Sequence, residues 1–353
     1  MSCGGGHTRE LAIGAVDDAA KWAPNARRPM QLADAAGLKT IVLSAVWKQG
    51  ASAAGDLPPL RRAVRAAKAE GIDPQLAVYQ LSSSTPLDDA SRAAFSDYAV
   101  ALVRALPSVR TVFVGNEPNL NLFWMPQFDP DGGDAAATAY EQLLATAYDA
   151  LKSADSKLTV VGGSVAPRGG DDPSASRQTH SPTAFIADLG RVYRASGRTK
   201  PLMDMFSIHV YGESPKIAPS FSHPHSTSIG IADYGKLVTL LGRAFDGTPQ
   251  AGSKLPIVYG EYGVETEVPS ERASAYTGTE VVPTADVQTQ ARDYRQAVEL
   301  AACQKNVRAL DFFHVIDERR LTGLQSGLYY LDGTAKPSAE AVRAATEHPG
   351  CRR

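Results

Sequence analysis

Short apolar runs alternate with longer stretches of helical periodicity along the whole chain. The runs at 11–16, 40–46, 75–81, 112–114, 158–162, 205–210, 257–259 and 307–314 are rich in Val, Ile, Leu and Phe and close on turn formers or polar residues. That is the pattern of buried strands. Between them, apolar residues recur every three or four positions over 30–36, 60–69, 89–106, 135–154, 182–195, 231–245, 285–304 and 338–346, which predicts amphipathic helices. Gly37 and Gly71 stand just past the first two, where helices commonly stop. Strands separated by helical crossovers run parallel.

Eight such units predict an α/β fold, a (β/α)8 TIM barrel in a single domain over 11–353, preceded by a flexible Gly-rich leader at 1–10. A doubly wound sheet is the competing arrangement. The Gly-rich phosphate turn expected after its first strand is absent here. Three connections are long, 164–181, 212–230 and 264–283. All follow strands, and that is the face on which such barrels hold their sites. Loops of this length are usually functional, and the expectation is that they wall off a pocket.

Two strand ends carry the same chemistry. Val112-Phe113-Val114 breaks at Gly115 and delivers Asn116, Glu117 and Pro118; Ile257-Val258-Tyr259 breaks at Gly260 and delivers Glu261. In a closed barrel the fourth and seventh strands face each other across the lumen, so both carboxylates reach one rim. A surface loop charge is the ordinary fate of a glutamate. Two glutamates at matching strand ends point instead to paired acid/base work, in which one carboxyl gives a proton while the other attacks or activates water. The pair should have pKa values pushed apart.

The chain has 353 residues, 43% of them hydrophobic, enough for a substantial core. A formal net charge of -2 offers nothing to draw in nucleic acid or an anionic membrane surface. No apolar run approaches the roughly 18 residues of a membrane span. Met1–His7 has no apolar signal core, which fits either a cytoplasmic protein or a secreted one whose signal peptide is already gone. Of three cysteines, Cys3 lies in the leader and has no assigned role, Cys303 ends a predicted helix and Cys351 sits near the C-terminus. A disulfide joining the last two would suit secretion; two unrelated thiols is the alternative.

The run Asn116-Glu117-Pro118-Asn119-Leu120 with Phe123-Trp124, together with Gly260-Glu261-Tyr262-Gly263, resembles glycoside hydrolase clan A, the retaining barrels with catalytic carboxylates on strands four and seven. The order of elements extends the similarity over most of the chain. Within the clan the first motif is most similar to family 39, and the second is equally at home in family 5-like members. The resemblance implies that Glu117 is the general acid/base and Glu261 the nucleophile. It implies that Asn116 bonds the sugar 2-hydroxyl. His209 and Tyr211 match a His-x-Tyr pattern in which Tyr contacts the nucleophile and His lines the sugar site. By this reading Tyr211 keeps Glu261 ionised, and the neighbouring charge raises Glu117. A core His and Tyr is the plainer alternative.

Trp47 and Trp124, at expected rim positions, are set to stack on a sugar or simply to pack in the core. Asn119, Asp17 and Gln80, with Ser164, are further candidates for substrate hydrogen bonds. His314 ends strand eight where many clan members carry Trp, and the Arg that family 5 enzymes often place on strand two is missing. His223-Pro224-His225 reads as part of a Ser/Pro-rich lid rather than as metal ligands. No metal or organic cofactor is called for. The expected substrate is a carbohydrate or small glycoside, cut by double displacement from a chain end. Two rivals remain. One is a carbohydrate-binding barrel without catalysis. The other is a lyase or aldolase barrel, which wants a lumenal Lys that none of the strand ends clearly supplies.

Overall fold

The computed structural model describes residues 11–347 and Cys351; the expected leader lies outside them. Eight parallel strands close into a barrel in chain order: β1 (Ala12–Val16), β2 (Thr40–Trp47), β3 (Asp73–Gln80), β4 (Thr111–Val114), β5 (Thr159–Val165), β6 (Met205–His209), β7 (Ile257–Tyr262) and β8 (Val307–Phe313). Closure comes from β1 against β8, with Ala12 opposite Ala309 and Val16 opposite Phe313. Outside lie α1 (Ala19–Trp22), α2 (Arg27–Ala35), α3 (Leu57–Ala69), α4 (Asp89–Ala105), α5 (Ala135–Ala154), α6 (Pro182–Ala195), α7 (Tyr234–Phe245), α8 (Val287–Ala302) and α9 (Pro337–Glu347). This is the (β/α)8 barrel that the sequence pattern predicts. The doubly wound alternative is excluded by closure.

Among the described residues, four of the nine helix starts follow from local chemistry. Asp88, Asp134, Ser181 and Asp286 each accept a backbone N–H from the first turn of the helix that follows, satisfying donors that the helix itself leaves open. Asp286 explains why α8 begins at 287 rather than 285. Strand β3 starts two residues earlier than predicted, at the expense of its expected last residue, Leu81.

Two layers of core result. The larger fills the space between strands and helices. The smaller plugs the lower lumen with Val42, Phe113, Val161, Val258 and Ala309. The lumen is therefore closed beneath and open only at the C-terminal rim, where the long loops rise. Cys303, just past α8, is disulfide-bonded to Cys351, with Cα atoms 4.6 Å apart. The two thiols are partners, and the bond fastens the end of the chain beyond α9 to the body.

Candidate active site

The end of β4 is turned by force into the lumen. Gly115 has φ +83°, and a Cβ there would sit 2.8 Å from the Tyr140 ring. Tyr140, on α5, donates to Val114 O at 2.7 Å and accepts Gly163 N–H at 2.8 Å, pinning the ends of β4 and β5 together. Glu117 follows with φ +38°, its N–H bonded to Ser164 O at 2.8 Å. Ser164 and His314 are the other described non-glycine residues with positive φ, at +46° and +104°. All three line one cavity. Left-handed backbone is unfavourable for such residues and tends to concentrate at functional sites.

Glu261 reaches the same cavity by a different device. Strict alternation along β7 from inward-facing Val258 would send residue 261 outward. The pairing of β7 with β8 shifts register between Tyr259 and Tyr262, and that with β6 shifts near His209. A bulge of this kind re-aims a side chain, and Gly260 and Glu261 both line the cavity. Glycine at 260 leaves room for Ser207, whose Oγ would crowd a Cβ there.

The two glutamates meet at one ring. His209 Nδ1 lies 2.9 Å from Glu117 Oε1 and 3.3 Å from Glu261 Oε2. Tyr211 donates its hydroxyl to Glu261 Oε2 at 2.8 Å. Both glutamate side chains are largely buried, each 15% exposed. Burial drives the Glu261 carboxyl up to about 7. The His209 imidazole counters this, the Glu117 charge adds to it, and the Tyr211 hydrogen bond counters it again. The expected Tyr211 hydrogen bond is present and favours the ionised form, but desolvation outweighs it and the net shift is upward. Burial pulls His209 down, yet the charges of Glu261 and Glu117 outweigh it and its net shift is upward. Tyr211 is held well above the ordinary phenol value by burial and by Glu261, so it stays a donor. Beneath them Asp311, buried and accepting from Thr40 Oγ1 at 3.3 Å, is pushed up to about 7, chiefly by desolvation.

The cavity measures about 290 Å³ and also takes in Asp18, Ser44, Tyr79, Asn116, Phe123 and Glu318. Asn116 stands beside Glu117 in its wall. His314 lines the wall with its Nδ1 unpartnered, and burial lowers its pKa. Asp18 accepts Ser44 N–H at 2.9 Å and pairs with Lys21.

Several expected site residues lie elsewhere. On β2 the cavity-lining positions are Val42 and Ser44, so Trp47, of the opposite parity, points outward. It is 1% exposed and packs edge-on against Phe95. On β3 Ala77 and Tyr79 face the cavity, and Gln80 therefore faces the helices. There it is buried and holds Phe123 O at 3.2 Å. Trp124 is fully buried edge-on to Tyr140. Asn119 is also buried, taking Ala166 N–H at 2.8 Å and giving to His180 O at 3.0 Å. It joins the loops after β4 and β5. Asp17 touches the cavity, but its oxygens are occupied by the N–H groups of Ala19, Val315 and Ile316. It braces the rim. His223 bonds Asp233 at 2.6 Å, and Lys236 straps the same loop through the carbonyls of His223, Ser226 and Ser228. The loop containing the His-Pro-His sequence is thus fixed by its own hydrogen bonds. Among the described residues no group of three or more His, Cys, Asp or Glu is placed to hold a metal.

The sequence reading missed three participants. Arg168 reaches from the loop after β5 to donate to Tyr211 O at 2.9 Å. Asp311 was detectable as a charge inside an apolar strand. Glu318, in the loop after β8, had no signal of its own.

No protein-family model matches the chain, and no curated protein matches it in sequence. Among solved structures it is similar to glycosidase barrels of clan A over nearly its whole length. A monomeric beta-xylosidase from Caulobacter crescentus CB15 aligns with TM-score 0.60 and 18% identity, covering 95% of this chain and 67% of that one. GH5_18 from Streptomyces cattleya, in complex with GlcNAc, gives 0.62 and 16%, covering 97% and 81%. Bacteroides uniformis beta-glucuronidase 2, covalently bound to cyclophellitol-6-carboxylate aziridine, gives 0.57 and 12%, covering 96% of this chain but 35% of that protein. At these identities the likeness is one of fold.

Proposed function

We propose that this chain is a retaining glycoside hydrolase, with Glu261 as nucleophile and Glu117 as general acid/base. The observation that carries the reading is that two buried glutamates from facing strands lie against the same nitrogen, His209 Nδ1. Their nearest oxygens can be no farther apart than the sum of those two contacts, 2.9 and 3.3 Å. A retaining pair has its carboxyl groups about 5–5.5 Å apart, and a shared hydrogen-bonding nitrogen favours such closeness. The carboxyl separation expected here is the retaining one.

In the first step Glu261 attacks the anomeric carbon as the bond to the leaving oxygen breaks, and Glu117 supplies that oxygen's proton. In the second, Glu117 takes a proton from water, which displaces Glu261 from the sugar. His209 sits where its Nδ1 proton serves whichever carboxylate is charged. Asn116 is placed to meet the sugar beside Glu117. The cavity suits one sugar ring, which favours action at a chain end or on small glycosides. Secretion fits the Cys303–Cys351 bond, since oxidising compartments preserve such links. Among the described residues no helix is long and apolar enough to cross a membrane.

The test has two stages. A panel of nitrophenyl pyranosides and furanosides of both anomers identifies the sugar. The 2-fluoro analogue of that sugar, with a good leaving group, should then leave a glycosyl ester on the peptide holding Glu261, read by mass spectrometry. Turnover without any trapped ester, or an ester elsewhere, defeats the assignment. A binding-only barrel would turn over nothing.

The acid limb of kcat/KM should fall near pH 7, because Glu261 attacks only when ionised and its folded pKa is about 7. Activity is lost as pH drops through that value. Tyr211→Phe removes a hydrogen bond that favours the charged form, so the limb should move upward by about one unit. At pH 6 the variant should be slower by roughly tenfold or more. A limb left in place would show that Tyr211 does not tune Glu261.

A further inference from the structure

A second chamber opens from the same two glutamates. It measures about 410 Å³ and shares Glu117 and Glu261 with the first cavity, so the two spaces meet at the reacting bond. Their linings differ in kind. The first is set with Asp18, Ser44, Asn116, His209 and His314, polar groups suited to the hydroxyls of one sugar. The second is walled by Ile217, Val264, Val282, Pro283, Phe313 and Leu324, with Arg168, Glu213 and Glu265 also at its wall. Its walls come from the loops after β6, β7 and β8. Val281 and Val282 stand exposed on the middle one, at 67% and 40%. Tyr211 and Phe313 add aromatic surface and Arg168, Glu213 and Ser326 a polar edge, but the branched aliphatic side chains between them give a second sugar no hydrogen bonds. They do give an alkyl or aryl group a place out of water.

We infer that the leaving group of the natural substrate is apolar: this chain cuts glycosides of an alkyl or aryl alcohol, with the aglycone seated in the chamber between the loops after β6, β7 and β8. The inference rests on the glycosidase reading and deepens it. Glu117 lies where the two spaces join, so the oxygen it protonates is the one leading into the chamber. The alcohol leaves with that proton, and the sugar remains on Glu261 until water releases it.

The experiment compares methyl and octyl glycosides of the sugar and anomer that the nitrophenyl panel identifies, with a disaccharide carrying the same sugar at its non-reducing end. The octyl glycoside should exceed the methyl in kcat/KM by roughly tenfold or more, since several methylenes leave water. It should also exceed the disaccharide. Ile217→Ser and Leu324→Ser should each shrink the octyl-to-methyl ratio by about threefold or more. Ile217 stands on a surface loop, so one of the two is expected to fold normally. A ratio near one, or a disaccharide cut faster than the octyl glycoside, overturns the inference. If no glycoside in the panel is turned over, the glycosidase reading fails separately. Calorimetric titration with octyl and methyl β-glucoside then still decides the chamber: tighter octyl binding that weakens in Ile217→Ser supports it, and equal binding overturns it.

Discussion

Glu261→Gly and Glu117→Ala should both lose activity, and they should lose it differently. Glu261→Gly has no nucleophile and should fall on the order of 10⁴-fold or more in kcat. Azide can fill the space left by the carboxylate, and the sugar azide it forms should have inverted configuration. Glu117→Ala should fall about 10²–10⁴-fold on substrates with poor leaving groups. With a good leaving group it should still form the glycosyl-enzyme and then stall, because no base activates water. Azide needs no base, so it should restore turnover and give a product of retained configuration. The stereochemistry of the two azides, read by NMR, assigns the roles independently of rate. Opposite products would exchange the roles, and undiminished turnover in both variants would place the site elsewhere.

The second large effect concerns a buried ion pair away from the glutamates. Lys336 Nζ donates to Asp317 Oδ1 at 2.6 Å, to Thr266 Oγ1 at 2.8 Å and to Gln325 O at 2.9 Å. Both charged side chains are fully buried. Burial lowers the Lys336 pKa against the pull of Asp317, and raises that of Asp317 against the pull of Lys336. Asp317 also accepts from Gly327 N–H and Tyr276 hydroxyl at 3.0 Å each, so the cluster knits the loop after β7 to the loop after β8. Lys336→Met keeps the aliphatic stem but strands the Asp317 charge. That should cost about 3–5 kcal/mol and lower the melting temperature by roughly 5 °C. Lys336→Met combined with Asp317→Asn should recover part of the loss, because the stranded charge is gone. A melting temperature unchanged in the single variant would mean that water already reaches the pair.

The barrel was legible because its signal is repeated eight times. An error at one strand end, such as the two-residue shift of β3, does not disturb the count. The strand-end glutamates were legible for the same reason, as breaks in apolar runs. The two tryptophans were misplaced by reading nearness to the rim as exposure to the cavity. Trp47 could have been placed correctly, since Val42 and Ser44 share a face of β2 that an odd-numbered residue cannot join. Glu261 is the opposite case. Parity alone would have sent it outward, and only a shift in strand pairing brings it in. Such a shift depends on how β7 meets β6 and β8, contacts between residues far apart in the chain. The upward pull of burial on Glu261 was hidden for a related reason. A sequence names its hydrogen-bond partner but not the depth of its burial. The loop after β8, which supplies Glu318, Leu324 and the Lys336 cluster, has no periodicity to mark it.

The twisted backbone at Glu117 bears on how such a protein can change over generations. A left-handed conformation at a non-glycine residue costs on the order of 1–2 kcal/mol, which glycine escapes and asparagine partly escapes. If the proposed cleavage ceased to matter, exchange of Glu117 for either residue would relax this turn and relieve a largely buried charge. On the proposed function, decay into an inert carbohydrate binder would be a downhill step for the fold, opposed by selection on activity alone.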